Sequence, residues 1–208
     1  MHRPLIVTLL AGLSLIAGCA ARHSWMLAPG QHPQSFERRV TVETHGRFLL
    51  YLPAGFDPSG RTRYPLLIFL HGSGESGEDL EKVKVHGPPK LVASKPDFPF
   101  IVASPQARNS IERFDPATLD AMLDELLEQL PIDPDRVYLT GLSMGGIWTY
   151  GWAIQHPERF AAIAPVCGGD ARLTVYLYTG HDSWNQAYAD PELYQWLLQQ
   201  RRRAVRKP

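Results

Sequence analysis

Two cysteines and a formal net charge of zero set the first limits on what this chain is. With Cys19 in the N-terminal segment, Cys167 has no intramolecular partner, so we expect no disulfide bond. Equal numbers of basic and acidic residues, 21 of each, argue against a nucleic acid as partner. The sequence also lacks metal-ligand spacings, dinucleotide-binding motifs, internal repeats and low-complexity blocks, and we therefore expect no metal ion and no cofactor.

The N-terminal segment has the pattern of an export signal. Arg3 gives a positive start, an apolar core follows from Leu5 to Ala17, and small residues precede Cys19. This core is shorter than the apolar stretch that a membrane-spanning helix needs. The motif Ile16-Ala-Gly-Cys19 resembles the bacterial lipobox, in which the cysteine receives a lipid and becomes the mature N-terminus.

These features predict three segments and a location. Residues 1–18 are expected to be a signal peptide, 19–35 a lipidated tether, and 36–208 a single folded domain. Lipid on Cys19 would anchor the exported protein to the periplasmic side of a bacterial membrane, with the outer membrane as the expected location. The alternative is a plain signal peptide with an incidental cysteine. The sequence leaves the oligomeric state open.

Strand and helix patterns alternate along the domain, which predicts an α/β fold with a mostly parallel sheet and helices on both faces. Apolar runs predict strands at 66–70, 100–103, 137–140 and 160–166, and helical spacing predicts helices at 116–130, 143–156 and 191–203. Residues 39–43 and 47–52, joined by His45-Gly46, are expected to form a hairpin at the sheet edge. Cys167 is expected to be a small buried apolar residue near a strand end.

The most informative motif is Gly141-x-Ser143-x-Gly145, which follows an apolar strand and opens a helix. A serine on such a tight turn projects outward, and the N–H of the next residue, Met144, lies at the helix N-terminus. Side chains at the two flanking glycines would collide across the turn. Strand before and helix after predict that Ser143 is a nucleophile.

A second glycine-rich loop, Leu70-His-Gly-Ser-Gly-Glu-Ser-Gly77, follows the first central strand. In a parallel sheet it faces the same edge as Ser143. Its glycines let backbone N–H groups approach a ligand, so the N–H of Ser73 is expected to join that of Met144 in an oxyanion hole. The loop lacks the Gly-Lys-Ser/Thr ending of a nucleotide-binding P-loop.

Five motifs together carry a resemblance to a known family: His71-Gly-x-Gly-Glu, His86-Gly-Pro-Pro-Lys90, Ser104-Pro-Gln106, Gly141-Leu-Ser-Met-Gly-Gly146 and His181-Asp-Ser-Trp184. They resemble bacterial α/β-hydrolases of the phospholipase/carboxylesterase and dienelactone-hydrolase-like group, several of which are lipoproteins. The resemblance implies that Ser143 is the nucleophile and His181 the general base, and that a small-molecule ester is hydrolysed through an acyl-enzyme.

The position of His181 supports this role independently. It follows the apolar run Leu173–Tyr178 and lies in a loop before the last predicted helix. A nucleophile followed by a base near the C-terminus is the chain order of α/β-hydrolases.

A catalytic triad also needs an acid that orients the histidine, and this acid is harder to find. Gly168-Gly-Asp-Ala-Arg172 leads directly from one apolar strand to the next, where the family has a further strand-helix unit that carries the acid. Five residues span at most about 17 Å, too little for a parallel crossover between full-length strands. We therefore expect one late strand-helix unit to be missing and activity to be weakened. Asp170, Asp182 and Glu75 are weak candidates for the acid.

Other functions remain open at this point. A serine peptidase or an acyltransferase would use the same nucleophile with a different pocket. A non-catalytic surface lipoprotein could retain the fold and bind a ligand or partner instead.

Overall fold

The part of the chain that can be described lies almost entirely in one of two units. A computed structural model describes residues 31, 41, 43–95, 97–109, 114–168 and 183–202. The chain divides into the units Met1–Val42 and Glu43–Pro208, and the elements below all belong to the second. Within the described ranges, the search for a helix long and apolar enough to cross a bilayer finds none.

A mixed sheet forms the centre of this unit. Its described strands are β1 (Phe48–Tyr51), β2 (Tyr64–Leu70), β3 (Ile101–Pro105), β4 (Ile132–Leu142) and β5 (Ala162–Val166). Their order across the sheet is β1-β3-β2-β4-β5, and β1 is antiparallel to β3 whereas the other pairs are parallel. The segments that follow β2, β3, β4 and β5 therefore all leave the sheet at one edge, the carboxyl edge.

Helices cover both faces of the sheet, as the sequence predicted. They are α1 (Gly87–Val92), α2 (Pro116–Gln129), α3 (Met144–Gln155), α4 (Trp184–Ala189) and α5 (Pro191–Gln199). Successive residues of β2 point to opposite faces, since the side-chain period of a strand is two. Leu66 and Ile68 pack in one cluster with Leu119 of α2 and Trp152 of α3. On the other face, Leu67 packs with residues of α5.

Local signals in the sequence explain where the helices begin. Asp115 precedes α2, and its carboxylate accepts the backbone N–H of Thr118 at 3.0 Å, while Pro116 occupies the first turn, where no N–H is needed. Asp190 does the same for α5 through the N–H of Glu192 at 2.9 Å. The helix after the nucleophile candidate ends one residue before His156-Pro157.

One prediction made from a local pattern differs from the structure, and another falls mostly outside the described residues. The second half of the expected hairpin is β1, which pairs with β3; of the first half, residues 39–43, only 41 and 43 are described, neither in a strand. Cys167 is exposed, so the expectation of a buried apolar residue was wrong. Its backbone turns out of the sheet immediately after β5 with a φ of 54°, which carries the side chain away from the core.

Candidate active site

Ser143 occupies a strained turn between β4 and α3. Its φ of 50° and ψ of −113° are unusual for a residue with a Cβ and cost about 1–3 kcal/mol. The turn is fixed on both sides, because the N–H of Ser143 donates to the carbonyl of Val166 at 2.9 Å and the N–H of Ile147 donates to the carbonyl of Ser143 at 3.1 Å. Ser143 is partly exposed at the carboxyl edge, where a nucleophile must meet its substrate.

The glycines on either side of Ser143 allow backbone segments to approach closely. A Cβ on Gly145 would lie 2.0 Å from the carbonyl oxygen of Leu70 and 2.6 Å from that of His71. A Cβ on Gly141 would lie 2.4 Å from the carbonyl oxygen of Gly145. The start of α3 therefore packs directly against the backbone that leaves β2, which brings the second glycine-rich loop beside the nucleophile turn.

The predicted oxyanion donors lie on these two adjacent segments. Ser73 begins a short 3-10 turn, Ser73–Glu75, and is exposed, whereas Met144 is the buried first residue of α3. Gly72, just before Ser73, lies so close to Leu142 that a Cβ on Gly72 would be 2.7 Å from Cδ1 of that leucine. The N–H groups of the first turn of a helix have no partner within the helix, so that of Met144 is suited to receive negative charge.

His71 braces the loop from inside the protein. The ring is fully buried, its Nδ1–H donates to the carbonyl of Gly72 at 2.6 Å, and its Nε2 accepts the N–H of Ala107 at 3.0 Å. These two bonds require the neutral imidazole with its proton on Nδ1. Burial lowers the pKa of His71, which also favours the neutral form. His71 is therefore a structural residue of the loop and has no nitrogen left for proton transfer.

Gln106, from the Ser104-Pro-Gln106 motif, fixes the outer part of the same loop. Its Nε2 donates to the carbonyl oxygens of Glu75 and Asp79, each at 2.7 Å. The N–H of Gly77 donates to the carbonyl of Ala107 at 2.9 Å. The segment after β3 thus holds the oxyanion loop at Glu75, Gly77 and Asp79, which explains why two motifs distant in sequence occur together.

The buried neutral state of His71 predicts how stability depends on pH. Its folded-state pKa is lower than the ordinary value of 6.5, so as the pH falls below 6.5 the unfolded chain takes up a proton that the folded protein does not. This contribution to stability is complete above pH 6.5 and decreases as the pH falls towards the folded-state pKa. We expect the free energy of unfolding in urea to be lower at pH 5.5 than at pH 7.5.

The matched control is His71→Gln, which retains an acceptor for the N–H of Ala107 but does not titrate in this range. The difference in unfolding free energy between the two pH values should be smaller in this variant than in the wild type. Equal differences in both proteins would contradict the assignment of this pH dependence to His71.

His86 lies at the rim of the oxyanion loop. It immediately precedes α1, its Nε2 is 3.9 Å from Oε1 of Glu75, and its ring meets that of Trp184 edge-on with centroids 5.5 Å apart. The contact with Trp184 connects α4 to the loop, a link that sequence reasoning missed.

A group of polar side chains also missed by sequence reasoning lies below the nucleophile turn. The hydroxyl of Thr140, on β4, donates to the carbonyl of Ala164 at 2.5 Å and is 3.0 Å from the phenol oxygen of Tyr188 on α4. At the end of β5, Sγ of Cys167 is 2.7 Å from Oγ of Ser183. Thr140 stands in an apolar run and Tyr188 in a helix that we did not predict, so no local pattern distinguished them.

Four predicted site residues fall outside the described residues: the general base His181, the weak acid candidates Asp170 and Asp182, and the lipid attachment site Cys19. Within the described ranges, no group of three or more histidine, cysteine, aspartate or glutamate side chains is arranged to hold a metal ion. An open cleft of about 440 Å³ lies between the start of β1 and α2, and neither Ser143 nor Ser73 lines it.

Comparison with known proteins gives relatives that are esterases by name. "Putative esterase NocK" of Nocardia uniformis subsp. tsuyamanensis is 35% identical over 126 residues, which are 53% of this chain and 34% of that protein. The "Bifunctional acetylxylan esterase/xylanase XynS20E" of Neocallimastix patriciarum is 30% identical over 125 residues, 57% of this chain and 17% of that protein. The chain thus spans at most about a third of the length of these relatives.

A family profile and a solved structure complete the comparison. The profile of the prolyl oligopeptidase family matches residues 118–205. The crystal structure of a thermostable esterase superimposes with a TM-score of 0.59 and 25% sequence identity, covering 74% of this chain and 59% of that one. Together with the parallel sheet and the strained serine turn, these likenesses show that this chain has the α/β-hydrolase fold and is similar to esterases of that fold.

Proposed function

We propose that this protein is a serine hydrolase that cleaves carboxylic esters through an acyl-enzyme on Ser143. The observation that carries the proposal is the conformation of Ser143 itself, a partly exposed residue at φ 50° beside a braced glycine-rich loop. Such strain persists only where the surroundings enforce it, and it is concentrated at functional sites. The esterases among the relatives support the same chemistry.

The short length of chain between His181 and the described residue Ser183 supports His181 as the general base. Ser183 contacts Cys167, which directly follows Val166, and the carbonyl of Val166 accepts the N–H of Ser143. His181 is two residues before Ser183, and two residues span at most about 7 Å. The opposite edge of the sheet is the length of β5 away, roughly 16 Å for five residues. This distance supports the proposal that His181 acts at the carboxyl edge, where Ser143 lies.

The proposed reaction has two halves. Oγ of Ser143 attacks the ester carbonyl while His181 takes its proton, and the N–H groups of Ser73 and Met144 stabilise the negative charge on the carbonyl oxygen. The C–O bond to the alcohol then breaks, and the alcohol leaves with the proton from His181. Water, deprotonated by His181, attacks the acyl-enzyme and releases the acid, which restores Ser143.

We also propose that activity is weakened by the loss of a strand-helix unit that would carry the triad acid. Removing the acid from a triad costs on the order of 10⁴-fold in turnover but leaves some catalysis. Of the substitutes, Asp170 and Asp182 are outside the described residues, and Glu75 lies beside another imidazole, that of His86. A version with an inserted strand-and-acid segment should turn over esters faster. Equal rates would refute the idea.

A serine peptidase is the second candidate, and the match to the prolyl oligopeptidase family over residues 118–205 favours it. A panel of p-nitrophenyl esters and peptide p-nitroanilides separates the two, with Ser143→Ala as the blank. We expect the wild type to hydrolyse esters above that blank and anilides hardly at all. Hydrolysis of anilides alone would favour the peptidase, and no hydrolysis above the blank would refute both.

For the location we propose a lipid anchor on Cys19 at the periplasmic side of a bacterial membrane, a proposal that the lipobox-like motif alone supports. Cys19→Ala should move the exported protein from the membrane fraction to the soluble periplasmic fraction. Equal membrane association of both proteins would contradict the anchor.

A further inference from the structure

The cleft between the start of β1 and α2 has the size and the lining of a small-molecule site. Its volume of about 440 Å³ lies in the range of about 300–1,000 Å³ that is typical of such sites. The apolar part of its wall includes Phe48, Phe114, Leu119 and Met122. Phe114 and Leu119 are 3% and 2% exposed and belong to the core, so this part of the wall is preformed.

The cleft is distinct from the nucleophile turn, although both lie at the carboxyl edge of the sheet. Phe48 pairs with Pro105, the last residue of β3, which places the cleft at that edge. The strand order puts β1 three strands away from β4, roughly 14 Å at the usual strand spacing. A small ligand in the cleft therefore does not occupy the position of an ester at Ser143.

Two residues that line the cleft also brace the oxyanion loop. Nη1 of Arg47 donates to the carbonyl of Glu78 at 2.5 Å, and the N–H of Gln106 donates to the carbonyl of Arg47 at 2.9 Å. The side chain of Gln106 in turn holds the carbonyl oxygens of Glu75 and Asp79, each at 2.7 Å. Arg47 and Gln106 thus belong both to the cleft and to the brace of the loop.

The apolar wall of the cleft reaches the same loop by a second contact. The ring of Phe114 lies against that of His71, with centroids 5.0 Å apart. Nε2 of His71 accepts the N–H of Ala107, which also lines the cleft. The cleft and the oxyanion loop are therefore connected at the rim and at the wall.

The charged groups next to the loop favour an anionic ligand. The described lining contains two guanidinium groups, those of Arg47 and Arg108, both on exposed residues. A guanidinium offers five N–H donors in one plane, a geometry that matches a carboxylate. The nearby carboxylate of Asp115 already accepts the N–H and the hydroxyl of Thr118.

Two further carboxylates line the cleft, those of Glu43 and Glu125. Thr118 marks the arginine end, since a Cβ on Gly46 would lie 3.0 Å from Cγ2 of Thr118. Glu125 is seven residues beyond Thr118, about 10 Å along α2, and so lies towards the other end. Glu43 is four residues before Arg47 on an exposed residue, where water and salt screen its charge.

We propose that this cleft is an effector site for a small aromatic carboxylate. The aromatic ring packs against Phe48 and Phe114, and the carboxylate binds Arg47 and Arg108. Because Arg47 is also bonded to the carbonyl of Glu78, the ligand fixes the arginine side chain and with it the oxyanion loop. Ordering of this loop raises kcat for an ester. The increase in kcat rests on the proposed function, whereas the binding itself does not.

Calorimetric titration of the full chain with 2-naphthoate tests the binding. We expect one site per chain, with the same affinity in the wild type and in Ser143→Ala. Arg108→Gln should weaken binding on the order of 10-fold, as expected for one hydrogen bond to a charged group. Arg61→Gln removes another exposed arginine, one outside the cleft lining, and as the matched control should bind like the wild type.

Two tryptophan variants on α2 test the place of binding. Ala121 is exposed and lines the cleft, so Ala121→Trp should fill it and prevent binding, whereas Ala117→Trp, exposed but outside the lining, should not. The cation 2-naphthylmethylamine should bind about 10-fold more weakly than 2-naphthoate, or worse. Failure of the wild type to bind 2-naphthoate, equal binding by Ala121→Trp, or tighter binding of the amine would overturn the site.

The effector role is measured as kcat for p-nitrophenyl acetate at saturating 2-naphthoate. We expect kcat of the wild type to rise on the order of 5-fold, the lower end of typical coupling between two sites, and that of Ala121→Trp not to respond. An unchanged or lower kcat with the site filled would overturn the effector role. A wild type that binds 2-naphthoate but neither hydrolyses esters nor reacts with a fluorophosphonate would refute the proposed function and the effector role, although the binding site would stand.

Discussion

Replacing Ser143 with alanine is expected to lower ester turnover by on the order of 10²-fold, down to the rate set by binding and the oxyanion donors. The loss is smaller than in a complete triad, because the proposed absence of the acid has already removed on the order of 10⁴ of the roughly 10⁶-fold contribution of the triad. The methyl group cannot form an acyl-enzyme, and no other hydroxyl occupies the strained position between β4 and α3. The measurement is kcat for a p-nitrophenyl ester, with circular dichroism to verify that the variant is folded.

Ser143→Gly is the matched control, because it also removes the hydroxyl but relieves the backbone. Alanine keeps a Cβ at φ 50°, whereas glycine tolerates positive φ at little cost. Both variants should be equally inactive, and the glycine variant should unfold at a free energy about 1 kcal/mol or more above that of the alanine variant. An active alanine variant, or a glycine variant less stable than the alanine one, would contradict this account of the turn.

Replacing Gly145 with alanine is expected to destabilise the protein by about 3 kcal/mol or more and to abolish activity. The new methyl carbon would lie 2.0 Å from the carbonyl oxygen of Leu70. That atom belongs to the backbone of a central strand, so it cannot move without disturbing β2 and the oxyanion loop. Urea unfolding of the purified variant, or its failure to accumulate as folded protein, measures the effect.

Gly151→Ala provides the control on the same helix. A Cβ at Gly151 would meet only Cε3 of Trp148, at 4.0 Å, which is an ordinary contact. Since alanine favours helix over glycine by about 1 kcal/mol, this variant should be as stable as the wild type or more so. If the two alanine variants lost the same stability, the close approach at Gly145 would not be the cause.

Much of the architecture follows from local patterns in the sequence. The continuous apolar run of β2 predicts a strand covered on both faces, and its residues Leu66–Leu70 are fully buried. The 3.6-residue spacing of Leu119, Leu123 and Leu126 predicts the buried face of α2. The nucleophile turn was predictable because its whole pattern is local: an apolar strand, a serine between two glycines, and a helix follow one another directly in the sequence.

What sequence reasoning missed depends on contacts between distant residues. The pairing of β1 with β3 joins segments far apart in the chain, and no local pattern signals it. The partner of Thr140, Tyr188, is 48 residues further along the chain, and neither residue type signals the pair. Cys167 was assigned to the core by its hydrophobicity, but its backbone conformation turns it outward.

The most direct test of the central claim is covalent labelling of the folded protein with a fluorophosphonate. An activated serine displaces fluoride and keeps the phosphonyl group, which intact-mass measurement detects and peptide mapping locates. We predict one phosphonyl group per chain, on Ser143, and none on Ser143→Ala. A folded wild type that stays unmodified at Ser143 under conditions that label a known serine esterase would contradict the account.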